Sequence, residues 1–291
     1  MLNSKQQLIN KKIADLEVKG LFDVDVDINP PTIPLKKGEV DFEYKKLSSK
    51  IQTKFVNKIA FNFIKKLVKT KAFIIDDVVG IENFREVKAG AIITSNHFNP
   101  YDNFAIYWAI KDELNKHDLY KVIREGNFTS FKGLYGFFFR HCNTLPIPSD
   151  LHVFKDFLKA TNNLLKKGEK ILVYPEQALR TNYTKPRPYK SGAFHFAAKA
   201  NVPVIPVFIS LRDTGKVGND GLDVFGYTIH IMKPIYPDES INTKENEENM
   251  RKENYQLVKN KYEEVYKIPL TYSYEGEIKW SFTLFWLSEP P

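Results

Sequence analysis

A single cysteine, Cys142, occurs among 291 residues. That excludes an intramolecular disulfide and any thiolate-clustered metal site, and it fits a reducing compartment. Set among apolar and aromatic neighbours, the thiol is expected to be buried and inert rather than nucleophilic. Long apolar runs are missing as well. The longest, residues 104–110, spans seven residues, far short of the roughly 18 to 20 that a bilayer helix needs, and the N-terminus has no apolar core of a signal peptide. The expectation is a chain without a transmembrane anchor. Acidic side chains are absent from residues 45–75, which hold nine lysines, whereas the whole chain carries a formal charge of +8. The remainder is therefore close to balanced. With 43% hydrophobic and 14% aromatic residues, most of the chain can bury a substantial core, as one large domain or a domain with an appendage.

Residues 4–19 read as a polar helix stopped by Gly20, followed by Asp23, Asp25 and Asp27 alternating with valines until Pro30, Pro31 and Pro34 break regular structure. Without a glycine-centred loop the aspartates read as a solvated strap, not a cation site. In the lysine-rich segment, Phe55/Val56, Ile59/Ala60, Phe63/Ile64 and Leu67/Val68 recur every four residues, which draws an apolar stripe along a helix. Lys54, Lys58 and Lys65 border it. Such a helix either packs on a core or lies on a membrane surface. Beyond it, strands are predicted at residues 91–95, 119–123, 144–147, 170–174, 204–209 and 225–232. Helices are predicted at 100–115, 128–139, 150–166 (capped by Ser149 or Asp150), 191–200 (capped by Ser191) and 241–266. This alternation argues an α/β fold with a largely parallel central sheet flanked by helices, in which ligand sites gather at the carboxyl ends of strands. The expected domains are 1–70 (strap and basic amphipathic helix), 71–237 (α/β core) and 238–291 (helix and aromatic tail covering the core through Trp280, Phe282, Phe285 and Trp286).

The most informative heptapeptide is Asn96-His97-Phe98-Asn99-Pro100-Tyr101-Asp102, at a strand-to-helix junction. A neutral imidazole takes a proton near neutral pH, and a carboxylate on its other ring nitrogen fixes the tautomer and stabilises the imidazolium. His97 and Asp102 can thus form a base and its orienting partner. The competing reading is structural: Asn99 caps the helix, Pro100 suits its first turn and Asp102 completes a loose capping box.

Three further blocks weigh on that choice. His-x4-Asp resembles the signature of the glycerolipid acyltransferase superfamily, the 1-acylglycerol-3-phosphate acyltransferases. Arg124-Glu125-Gly126 through Phe131-Lys132-Gly133 to Asn143-Thr144-Leu145-Pro146-Ile147 is similar to its second block. Tyr174-Pro175-Glu176 resembles the start of its third, usually Phe-Pro-Glu-Gly-Thr-Arg, and Val202-Pro203-Val204-Ile205-Pro206-Val207 its fourth, with Tyr189-Lys190-Ser191-Gly192-Ala193-Phe194 matching the turn before it. Two departures stand out. Gln177-Ala178-Leu179-Arg180 replaces Gly-Thr-Arg, so the arginine arrives one place late, and Leu145-Pro146-Ile147-Pro148 lacks the arginine that relatives carry there.

The resemblance implies acyl transfer from acyl-CoA or acyl carrier protein to a hydroxyl of a lysophospholipid, with no metal or other cofactor. His97 would be the base, Asp102 its orienter, and backbone N–H groups near the helix start the oxyanion donors. Glu176, Arg180, Arg124 and Lys190 would hold the acceptor, with Lys185 and Arg187 completing a basic cluster suited to phosphate. Membrane contact is expected through Lys54, Lys58, Phe63, Lys65 and Leu67, which implies a cytoplasmic protein peripheral to the inner membrane face and bound to anionic lipids. The departures favour a head group other than simple lysophosphatidic acid. Alternatives are a sugar or other non-phosphate acceptor, or a silent lipid-binding protein. Nucleic acid is not an expected partner, because the lysines lie on an apolar-striped helix without a reader motif.

Overall fold

The structure, a computed structural model, describes residues 4–26, 29 and 31–276. Asp27, Pro30 and the aromatic tail with Trp280, Phe282, Phe285 and Trp286 lie outside the described residues. The elements run α1 (Ser4–Val18), α2 (Leu47–Lys69), β1 (Ile74–Val79), α3 (Ile81–Glu86), β2 (Ala91–Thr94), α4 (Asp102–Ile110), β3 (Leu119–Arg124), α5 (Glu125–Thr129), α6 (Gly133–His141) and β4 (Thr144–Ile147). There follow α7 (Leu151–Lys166), β5 (Lys170–Val173), α8 (Gly192–Ala200), β6 (Val204–Val217), β7 (Asp223–Ile231) and α9 (Thr243–Tyr266).

Among the described residues the strands form one seven-stranded sheet in the order β1-β7-β6-β2-β5-β3-β4. Pairing is parallel throughout except between β6 and β7. Alternate side chains of β2 serve opposite faces: Ile92 joins the cluster under α7, α8 and α9, while Ala91 and Ile93 join the one under α3 and α4. Burial on both faces explains why β2, β4 and β5 read as unbroken apolar runs. Each fully buried Phe in these layers, such as Phe157 or Phe194, contributes about 2 to 3 kcal/mol.

The sheet departs from the sequence reading at one edge. β1, Ile-Ile-Asp-Asp-Val-Val, was not foreseen; Asp76 and Asp77 are exposed in its middle, which destroys the apolar run that marks a strand. β6 extends to Val217 rather than 209 because its outer half pairs with β7 alone, across a bulge between Asp213 and Lys216. The single helix expected over 128–139 is two, α5 and α6, separated by residues 130–132, where Lys132 is extended (φ −104°, ψ 174°). α4 stops at Ile110, five residues earlier than expected. Of the expected caps, Asp150 accepts from the N–H groups of His152 and Val153, whereas Ser191 occupies its N-cap position without a side-chain bond.

α2 buries Thr53, Val56, Ala60 and Ile64 against Phe138 and Cys142. Phe63 and Leu67, expected at a membrane, turn inward instead: Phe63 meets Tyr101 and Phe138, and Leu67 packs on the cluster under α4. The apolar row left facing out is Leu47, Ile51 and Phe55, each at least 60% exposed, beside exposed Lys50, Lys54 and Lys58, with Lys65 exposed further along. Cys142 is buried, and burial pushes its thiol pKa up. No helix among the described residues is long and apolar enough to cross a membrane.

Candidate active site

Thr94 of β2 is in register with Val173 of β5, so the chain leaves both strands at the same end and side by side. The turn after β2 carries His97, and the turn after β5 carries Tyr174, Pro175 and Glu176. Asn96 anchors the first turn, its amide donating to Ile209 O and accepting from Ile209 N, both at 2.9 Å. Its buried side chain thus completes the neighbouring strand's backbone bonding.

His97 Nδ1 lies 2.7 Å from Asp102 Oδ2. Asp102 is fully buried while the His97 side chain keeps 21% of its exposure, which leaves Nε2 as the ring nitrogen able to meet a substrate. The same Asp102 oxygen accepts from Phe98 N at 3.1 Å and Asn99 N at 3.3 Å, and Asp102 Oδ1 accepts from Tyr174 OH at 2.5 Å. The two readings of the heptapeptide are therefore both realised: the aspartate closes the turn and also holds the imidazole. Asn99 does not cap α4; its Oδ1 accepts from Tyr101 N within the turn, and Tyr101 stands at the N-cap position. Oxyanion donors are expected among the backbone N–H groups near the helix start; those of Phe98 and Asn99, just before it, donate to Asp102.

Glu176 and Arg180 hold the other side of His97. Glu176 is 2% exposed; Oε2 accepts from His97 N at 3.2 Å and from Arg187 Nη2 at 2.6 Å, and Oε1 accepts from Arg187 N at 2.9 Å. The His97 carbonyl in turn accepts from Arg180 N at 3.1 Å and Arg187 Nη2 at 3.2 Å. The carboxylate expected to position an acceptor is thus engaged with the His97 peptide and Arg187.

The basic cluster is covered by the N-terminal strap. Arg180, fully buried, donates from Nη2 to Leu21 O at 2.6 Å, and its guanidinium lies near the rings of Phe22 and Tyr183. Burial and the nearby Arg187 lower its pKa from the ordinary value. Arg187 Nη1 donates to Phe22 O at 3.0 Å. Arg124 pairs with Asp25 at 2.6 Å, Lys190 with Asp23 at 2.9 Å and Lys185 with Glu17 at 2.9 Å. Asp25 Oδ1 also accepts from Leu179 N. Asp23 and Asp25, read from sequence as solvated, are counter-ions of the cations read as the acceptor site. Arg140 of α6 donates to the carbonyls of Phe128 and Phe131. Among the described residues no group of three His, Cys, Asp or Glu side chains could hold a metal ion.

Sequence reasoning missed the Tyr174 hydroxyl and the covering role of Leu21, Phe22, Asp23 and Asp25. A signal existed for the strap in its alternating acids, opposite in sign to the loop between Glu176 and Lys190, but nothing in the spacing pairs the two.

Comparison with known proteins bears on this geometry. Residues 77–210 match the model of the family described as Acyltransferase, a span from β1 to β6 that contains both turns. The chain is 30% identical over 183 residues to the chloroplastic 1-acyl-sn-glycerol-3-phosphate acyltransferase BAT2 of Brassica napus, covering 60% of this chain and 50% of that protein. It is 28% identical over 170 residues to the chloroplastic 1-acyl-sn-glycerol-3-phosphate acyltransferase LPAT1 of Arabidopsis thaliana, covering 55% and 43% respectively. The chain thus spans about half the length of the curated relatives it matches. The fold is similar to that of the 1-acyl-sn-glycerophosphate acyltransferase PlsC from Thermotoga maritima, with a TM-score of 0.52 and 20% identity over 78% of this chain and 86% of that one.

Proposed function

We propose that the chain, whose residues 77–210 match the family model described as Acyltransferase, is a glycerolipid acyltransferase that transfers a fatty acyl group from a thioester of coenzyme A or acyl carrier protein to a hydroxyl of a lysophospholipid or related glycerolipid. His97 Nε2 removes the hydroxyl proton, and the oxygen attacks the thioester carbonyl. Collapse of the tetrahedral intermediate forms the ester and expels the thiolate, which takes the proton back from the imidazolium. Asp102 holds the tautomer and offsets the charge that develops on the ring. The observation that carries this reading is the 2.7 Å contact between a fully buried carboxylate and a part-exposed imidazole, in a domain whose curated relatives are named acyltransferases.

A second reading of the acceptor, a sugar or other alcohol without a phosphate, is favoured by the strap. Arg124 and Lys190 already hold carboxylates, and Arg180 and Arg187 each hold a carbonyl of the strap, so a phosphate monoester competes with these partners, while Arg180 Nε and Nη1 are buried donors without a hydrogen-bond partner. Incubating the protein with a long-chain acyl thioester and a panel of lysophosphatidate, neutral lysolipid and glycan acceptors separates the two. Thiol release that needs a phosphate-bearing acceptor supports the first reading, and release only with neutral alcohols supports the second. No release with any donor and acceptor would contradict both and leave a silent lipid-binding protein.

For lipid substrates the exposed row Leu47, Ile51 and Phe55, with its flanking lysines, supports docking of α2 on an anionic membrane surface, where apolar insertion and charge attraction act together. Phe63 of α2 touches Tyr101 of the His97 turn, which would bring the base close to that surface. Phe55→Glu should reduce sedimentation with anionic vesicles while leaving hydrolysis-free acyl transfer to a water-soluble acceptor intact.

A further inference from the structure

The Tyr174 side chain contacts both His97 and Asp102. Its ring lies over the His97 imidazole, with centroids 4.0 Å apart and planes 16° from parallel. Its hydroxyl donates to Asp102 Oδ1. The carboxylate has no exposed surface, so the tyrosine, and not bulk water, satisfies that oxygen. A buried carboxylate divides its negative charge among its donors, and each donor added on one side weakens what is offered on the other.

We propose that Tyr174 is a positioning residue of the relay: its hydroxyl sets how tightly Asp102 holds the His97 imidazolium, and its ring fixes the plane in which Nε2 is presented. Burial and the adjacent carboxylate raise the tyrosine pKa well above its ordinary value, so the hydroxyl stays a donor throughout the range in which an imidazole titrates. The other ionisable or charged groups facing the pair are three. Tyr227 accepts from Asn99 Nδ2 at 3.4 Å and has a raised pKa; Glu176 accepts from His97 N, and Arg187 donates to His97 O. None contacts the Tyr174 hydroxyl, so a substitution that deletes only that oxygen leaves them in place.

The test is an NMR titration of the His97 ring in the isotopically labelled full chain, wild type against Tyr174→Phe, which keeps the ring and the stack. The expected result is a midpoint moved to higher pH, because the carboxylate freed of one donor holds the imidazolium more tightly, with the melting temperature little changed. An unchanged or lowered midpoint overturns the proposal. Repeating the exchange in an Asp102→Asn background isolates the route: the substitution should then no longer move His97, and a shift that persists would also overturn it. The kinetic consequence, an acid limb of kcat/KM moved to higher pH by the same amount, rests on the proposed acyl transfer. The ring titration does not. A chain inactive with every acceptor would therefore defeat the enzymatic reading and leave the tyrosine's role standing, and an unmoved midpoint would do the reverse.

Discussion

The His97–Asp102 pair and the cluster of Arg124, Arg180, Arg187 and Lys190 lie among the loops that follow β2, β3 and β5, yet they are held in opposite ways. The pair is closed largely from within its own turn, by Phe98 N and Asn99 N on Asp102, with Tyr174 added from the adjacent strand end. The cations are closed by a strap 99 to 167 residues away in sequence. Local closure costs little chain entropy and fixes the imidazole within its own turn. Closure by the strap does something else: it supplies anions and carbonyls where a ligand's oxygens would otherwise sit. One cluster is fixed by its own turn, and the other is held largely by the strap.

Three substitutions sharpen or break this contrast. The largest effect is expected from Glu176→Gln, which leaves the 1%-exposed Arg187 without its counter-ion. Removing one partner of a buried pair costs about 3 to 5 kcal/mol, and denaturant unfolding should show it; a loss under about 1 kcal/mol would mean that Glu176 is no scaffold and is free for an acceptor after all. Next is Phe22→Ala. Phe22 is 6% exposed and meets Tyr272 and Tyr274 edge-on as well as the Arg180 guanidinium, so its truncation should cost about 3 kcal/mol and speed amide exchange across residues 21–26. Stability equal to wild type would show that the strap is not bound as described. The smallest effect is expected from Asp25→Asn. Its pair with Arg124 is part-exposed, so stability should change by less than about 1 kcal/mol. The KM for a phosphate-bearing acceptor should fall roughly two- to fivefold as a competing charge is removed, with no change for a neutral one. Equal changes for both acceptors would separate the strap from acceptor choice.

The fold was legible where burial is two-sided, because β2, β4 and β5 announce themselves as short apolar runs between helical periods. It was illegible at β1, where Asp76 and Asp77 interrupt the run on an edge strand that tolerates charge. The relay followed the same rule. His97 and Asp102 are five residues apart, and one turn decides whether they meet. Tyr174 reaches Asp102 only because Thr94 and Val173 share a register, which no local pattern encodes. For Glu176, Arg180 and Arg187 the residue types and blocks were evident, but their duties were not. A buried arginine holding a carbonyl and a surface arginine awaiting phosphate look alike in sequence, and only the strap's return over the loop distinguishes them. The basic helix shows the same ambiguity, since its apolar positions divide between a face buried on α6 and an outward row beginning at Leu47.

The most direct test of the account is the chemical balance of the reaction in wild type and in His97→Ala. With an acyl thioester and an alcohol acceptor, mass spectrometry of the wild-type reaction should find free thiol and new ester in equal amounts. His97→Ala should melt at the wild-type temperature while losing on the order of 10² to 10⁴ in rate, the range for removal of a general base. A His97→Ala protein that forms ester at the wild-type rate would contradict the assignment of the base.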